Sequence, residues 1–140
     1  SEMWDCELLP QARGVSRFLA TSGGKAVFRL KPDLAVRSGQ TFPLLLDAKY
    51  KVLSPDEFGI GVAQDDFNQI FAYAHRYDCP RVLMLYPQTA DMSTGIRKEF
   101  VLEDTNGKML CVVTVDIRGD VGTIQGRKQI IDQLIHVFHD

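Results

Sequence analysis

Leu30-Lys31-Pro32-Asp33-Leu34-Ala35-Val36 and, after the linker Arg37-Ser38-Gly39-Gln40-Thr41-Phe42-Pro43, Leu44-Leu45-Leu46-Asp47-Ala48-Lys49-Tyr50-Lys51 decide how this chain is read. Each run is apolar and strand-like, yet each carries an acidic residue where a core strand would take none. Side chains alternate across a strand, so Asp47 and Lys49 share one face and Leu46 and Ala48 the other. The linker is turn-like and short enough for a hairpin. A hairpin brings Asp33 beside Asp47 and Lys49, so that two carboxylates and an ammonium converge on a rigid sheet.

Two readings fit that convergence. The plainer one is an ion pair on the solvated side of a hairpin, since Asp-x-Lys alone is short and common. The other is a metal site. Mg²⁺ takes oxygen ligands, usually one or two carboxylates, and leaves places for water and phosphate. A lysine beside it can orient the attacking water and stabilise developing charge. Pro-Asp in one apolar run followed by Leu-Leu-Asp-Ala-Lys in the next is more specific than either half alone.

Pro32-Asp33 with Asp47-Ala48-Lys49 resembles the signature of the PD-(D/E)xK nuclease superfamily. Leu30-Lys31-Pro32-Asp33, Leu46 to Lys51, Asp66-Phe67-Asn68-Gln69-Ile70-Phe71-Ala72-Tyr73-Ala74 and Leu83-Met84-Leu85-Tyr86-Pro87 are similar to the McrC family, the nuclease subunit of McrBC-type, modification-dependent restriction systems. The resemblance covers about residues 28 to 88. It implies an α/β fold, a restriction-endonuclease-like mixed β-sheet flanked by helices, with the chain from 1 to 140 forming one nuclease domain. It implies hydrolysis of double-stranded DNA with Mg²⁺, for which Mn²⁺ substitutes. Asp33, Asp47 and the Ala48 carbonyl hold the metal, and Lys49 positions the water. It also implies a separate AAA+ GTPase partner that translocates DNA and reads modified bases. Many superfamily members place a glutamate ahead of the first strand; Glu7 is the available stand-in, in surroundings that match poorly.

Composition bounds these readings. One domain is the natural expectation for 140 residues with 45% hydrophobic content. No apolar run approaches the roughly 20 residues of a membrane helix, and no signal peptide is visible. Cys6, Cys79 and Cys111 are odd in number and widely spaced, which suggests buried thiols in a reducing, cytoplasmic compartment. The net charge is −2 but uneven: residues 1–51 hold eight Lys/Arg against five Asp/Glu, and residues 52–140 hold eight against thirteen. The half with the candidate site is the basic half, which suits a phosphate substrate. The small total charge predicts weak DNA binding by this domain alone.

Along the chain, residues 1–24 give no clear element: Pro10 and Gly14 interrupt any helix, and Thr21-Ser22-Gly23-Gly24 reads as a loop. Ala26 to Val36 reads as one strand bent near Pro32, and Leu44 to Val52 as a central strand. Residues 53–63 read as a loop beside the site. A helix is expected over Asp66 to Tyr77, with an apolar stripe of Phe67, Ile70, Phe71 and Ala74. Asp66, Gln69, Tyr73 and Arg76 form a second stripe. Gln69 has two readings: partner of Asp66 in a capping box, or, as the family pattern Asp-x-x-Gln-x-x-x-Tyr implies, a catalytic residue facing the phosphate or water together with Tyr73. Arg81 to Tyr86 reads as a strand parallel to the central one. Glu99 to Leu102 and Met109 to Val115 flank Asn106-Gly107, a hairpin signal. An amphipathic helix is expected over residues 125–138, where His136 and His139 read as surface residues. Two rival functions stand beside the nuclease: a nuclease-like DNA-binding or assembly module with dormant catalysis, and a PD-(D/E)xK nuclease of another branch acting without a GTPase.

Overall fold

A computed structural model describes residues 6–49, 53, 62–87 and 97–115. The expected C-terminal helix with His136 and His139, and most of the loop over 53–63, lie outside the described residues.

The frame is a six-stranded mixed sheet in the order β1 (Glu7–Pro10), β4 (Leu34–Ser38), β5 (Thr41–Ala48), β6 (Arg81–Pro87), β8 (Met109–Val115), β7 (Arg97–Val101). Its centre is the expected hairpin. β4 (Leu34–Ser38) and β5 (Thr41–Ala48) pair antiparallel, Leu34 with Leu46 and Ser38 with Thr41. The turn between them is tighter than the linker suggested, just Gly39-Gln40, with Gly39 at φ +61. A glycine takes that conformation without the steric cost a Cβ would add. α1 (Gln64–Arg76) then crosses over to β6 (Arg81–Pro87), which runs parallel to β5 as expected. β8 (Met109–Val115) lies parallel to β6 on its far side, and β7 (Arg97–Val101) closes that edge antiparallel. The β7–β8 connection contains Asn106 and Gly107 at φ +57 and +84, the left-handed pair its sequence signalled.

Three expectations are corrected. First, residues 26–36 do not make one strand. β3 (Lys25–Leu30) pairs with β2 (Arg17–Ser22) in a separate two-stranded ribbon, and β4 belongs to the main sheet. The break falls at Lys31-Pro32-Asp33, where Pro32 has no N–H for a ladder. Second, the stretch in which no element was legible holds two strands, and Thr21 and Ser22 of the expected loop belong to β2. β1 (Glu7–Pro10) is an edge strand on β4, and β2 turns into β3 through Gly23-Gly24, at φ +58 and +80. Third, the buried face of α1 is rotated from the expected stripe. Asp66, Ile70, Tyr73 and Ala74 are buried, while Phe71 is 37% exposed.

The core lies on both faces of the sheet. Ile70, Tyr73 and Ala74 of α1 pack with Leu45, Val82, Met84 and Tyr86 on one face. Leu34, Val36, Leu44, Leu46, Leu83 and Leu85 cluster on the other. Such a set of buried leucines and valines is the main favourable term for a domain this size, at ~1.5–3 kcal/mol for each large side chain.

Candidate active site

The site forms where the central hairpin runs out. Beyond the Leu34–Leu46 pair, register places Asp33 opposite Asp47. Asp33 is pinned twice. Its backbone carbonyl accepts from the Gln11 amide at 2.7 Å, and its Oδ2 accepts from the Ala48 amide at 2.7 Å. Lys49 follows the last residue of β5, yet its amide still donates to the Leu85 carbonyl of β6 at 2.7 Å. The backbone on both sides of Asp47 is therefore held by neighbouring chain segments.

Alternation along β5 turns Asp47 to the face of Leu45, toward α1. There it is 5% exposed. Burial pushes its carboxyl up to about 6; a hydrogen bond from Lys49 pulls the other way, and the nearby Asp33 charge and carboxyl push it up further. The two aspartates therefore converge.

Lys49 ties strand to helix. Its Nζ lies 2.7 Å from Asp47 Oδ2, donates to Gln69 Oε1 at 2.5 Å, and lies 3.8 Å from Asp66 Oδ1. The capping-box reading of Gln69 is not what the helix shows. Its N-cap is Ala63, with no side-chain capping bond, and Gln69 holds the lysine instead. Tyr73, one turn on, is 2% exposed in the core beneath the site. Its hydroxyl meets the Lys31 backbone; burial first, then the Asp47 and Asp33 charges, holds its pKa above the ordinary tyrosine value. Gln69 and Tyr73 thus separate: one holds the largely buried lysine, the other lies in the core beside the carboxylate charges.

Asp66 is the residue the sequence reading missed. It is buried in the first turn of α1, where the helix dipole favours an acid. Its Oδ2 accepts from the Tyr86 hydroxyl of β6 at 3.3 Å. Burial raises the Tyr86 pKa, and the Asp66 charge beside it does so further. The available signal was its place one turn before Gln69 on the same stripe. Glu7 lies elsewhere. It faces Arg37 across β1–β4, with a 2.8 Å ion pair, and is three strand residues, about 10 Å, from the Asp33 end of β1.

The donor set suits a hard cation. Asp33 and Asp47 offer carboxylate oxygens, and the Ala48 backbone lies between them. Mg²⁺ is commonly held by one or two carboxylates and keeps several waters. Among the described residues no group of three or more His, Cys, Asp or Glu gathers as a closed metal cage.

Comparisons with known proteins agree with this architecture. A family model described as McrBC 5-methylcytosine restriction system component matches residues 6–87. The fold is similar to a chain in the refined half-complex from a tetradecameric assembly of Thermococcus gammatolerans McrB AAA+ hexamers with bound McrC. That match has a TM-score of 0.50 and 23% identity, and covers 78% of this chain. The chain spans 25% of the length of that solved chain. No curated protein matches the sequence. The fold is the expected restriction-endonuclease-like α/β sheet, with α1 its one helix among the described residues.

Proposed function

The chain belongs to the family of McrBC 5-methylcytosine restriction system components, and from that premise we propose that it is the DNA-cleaving module of such a system, a Mg²⁺-dependent endonuclease. The observation that carries this reading is the convergence of Asp33, Asp47 and Lys49 at the open end of the β4–β5 hairpin. Asp33, Asp47 and the Ala48 carbonyl are the residues that would hold the ion. When bound, Mg²⁺ polarises the scissile phosphate and acidifies water.

The protein's own groups divide the remaining work. Asp47 sheds the proton its buried position favours, and its charge then anchors Lys49. The Lys49 ammonium orients the attacking water and neutralises the charge that builds on the phosphate oxygens. Gln69 fixes the lysine by accepting one of its three N–H bonds. Tyr73 fills the floor and excludes water from beneath the carboxylates. The Ala48 amide keeps Asp33 aimed.

The solved relative, with McrC bound to McrB AAA+ hexamers, supports a AAA+ GTPase partner for this chain too. The partner would hold duplex DNA against the site and raise its effective concentration. Among the described residues no helix is long and apolar enough to cross a membrane. Cys6, Cys79 and Cys111 are thiols, as a reducing cytoplasm would keep them. The experiment is a plasmid-nicking assay with Mg²⁺, Mn²⁺ or EDTA, with and without the purified GTPase. Slow nicking by the chain alone, acceleration by the partner with GTP, and loss in Lys49→Ala or EDTA are expected. Cleavage that survives EDTA or Lys49→Ala overturns the assignment.

A further inference from the structure

The β2–β3 ribbon carries chemistry that the carboxylate–lysine site does not use. From Leu8 to Pro32 the chain has five basic residues, Arg13, Arg17, Lys25, Arg29 and Lys31, and no acidic one, in a protein of net charge −2. The base of the ribbon is fastened to the core. The Arg17 guanidinium lies 5.5 Å over the Phe42 ring and 5.3 Å over the Tyr77 ring. Arg76 Nε donates to the Phe18 carbonyl at 2.7 Å, and the Tyr77 hydroxyl donates to the Val15 carbonyl at 2.9 Å. Beyond that base the ribbon stands in solvent. Lys25, Arg29 and Lys31 are exposed, and no carboxylate among the described residues is paired with them.

Phe28 stands among these cations. It is 73% exposed and holds φ +61, and Leu19, which like Phe28 falls between the Phe18–Arg29 and Ala20–Val27 pairs, is 51% exposed. A bulky residue in the left-handed region is a true outlier. A large ring in water adds a second cost. Glycine would meet the backbone demand more easily, so the ribbon's own fold does not explain a phenylalanine here. Strain of this kind is often retained for function.

We propose that the ribbon grips duplex DNA, with Phe28 entering the minor groove as an apolar wedge and Lys25, Arg29 and Lys31 on the flanking phosphates. The proposal rests on the nuclease reading in taking DNA as its ligand. Minor-groove proteins combine a wedge and cations in this way. Five residues separate Phe28 from Asp33, a reach of at most ~18 Å. That is about half of a ~34 Å helical turn, so one duplex is long enough to reach both. The charge is of one sign, and the apolar surface is two side chains. A protein-docking face would need a larger contiguous apolar patch.

The test uses the whole chain carrying Asp47→Asn, so that binding is read without cleavage. Duplex affinity is measured by fluorescence anisotropy over a low-salt series, and bending by energy transfer between the duplex ends. Phe28→Gly relieves the backbone strain while deleting the ring. It is expected to keep or raise the melting temperature, weaken binding roughly tenfold and abolish the bend. Lys25→Ala with Arg29→Ala is expected to lower the slope of log affinity against log salt by about 1.8. Unchanged affinity, slope and bend in these variants overturn the proposal. So does an Asp47→Asn chain that binds no duplex at any salt, or ribbon variants that lose only the GTPase partner. A wild-type chain that binds through the ribbon but never cleaves with Mg²⁺ would sink the nuclease reading and leave this one standing.

Discussion

Strands β5 and β6 show two different faces. On one, Leu44, Leu46, Leu83 and Leu85 pack into an apolar cluster with Leu34, Val36, Cys111 and Val113. On the other, Leu45, Met84 and Tyr86 share their space with Asp47, Lys49 and Asp66. The strands are the same, and the residues are offset by one. The difference lies in what each face is packed against. α1 brings Gln69 and Asp66 to Lys49, and β6 brings the Tyr86 hydroxyl to Asp66, so every buried charge there finds a partner. Buried polar groups without partners are expensive. Sequence alternation chooses where an aspartate points, and the helix decides whether it can stay.

The contrast can be attacked in order of expected effect. Leu46→Asp places the acid one residue away, on the opposite face among Leu34, Val36, Leu44 and Leu83, where Leu46 is 3% exposed. It is expected to cost more than about 4–5 kcal/mol and leave no folded protein by circular dichroism. A folded, soluble variant would mean that the two faces do not differ as described. Asp47→Asn makes the opposite change. Cleavage is expected to fall roughly a thousandfold or more, while the melting temperature at pH 7.5 without metal holds or rises, because an ionised buried carboxylate beside Asp33 is removed. A large drop in melting temperature would show that Asp47 is structural.

The third test follows the Asp47 proton in EDTA. Burial pushes its carboxyl up to about 6, against about 3.9 for an ordinary aspartate. Between those values the folded state binds more protons than the unfolded state. The stabilising contribution is therefore full below pH ~4 and lost as pH rises through ~6, by at most about 3 kcal/mol. Urea melts of wild type minus Asp47→Asn at pH 4 and pH 7 measure it, and Mg²⁺, which favours the ionised form, should shrink the difference. A flat difference in EDTA would mean that burial does not hold the proton. The smallest effect is that of Gln69→Ala. Losing the bond to Lys49 is expected to slow cleavage roughly 10–100-fold and to change stability by less than ~0.5 kcal/mol. A larger stability loss with normal turnover would return Gln69 to a purely structural role.

The sequence was most readable where structure is local. The β4–β5 hairpin, the crossover to a parallel β6 and the Asn106-Gly107 turn all follow from neighbours within a few positions. β1 was invisible because it is four residues long, ends in Pro10, and gains its meaning only by pairing with β4 across an intervening ribbon. The ribbon was hidden because β3 and β4 read as one apolar run, and a strand's sheet cannot be told from its residues. The helix face was misjudged because Phe67 and Phe71 are more apolar than Tyr73, yet Tyr73 packs over the sheet and Phe71 meets water. Asp66 was hidden by a plausible local role at the helix start. The convergence of Asp33, Asp47 and Lys49 was legible because a hairpin fixes register, and register fixes which side chains meet.

The Gly23-Gly24 turn lies at the far end of a ribbon whose base is clamped at Val15, Arg17 and Phe18. Chain added at that tip enters and leaves through two anchored strands. Its length is therefore uncoupled from the position of Asp33, which depends on Gln11 and Ala48. Longer or different tips can be exchanged there, in evolution or at the bench, without resetting the geometry of the carboxylates. The fold thus offers a socket whose outer residues can vary while the carboxylate geometry stays constant.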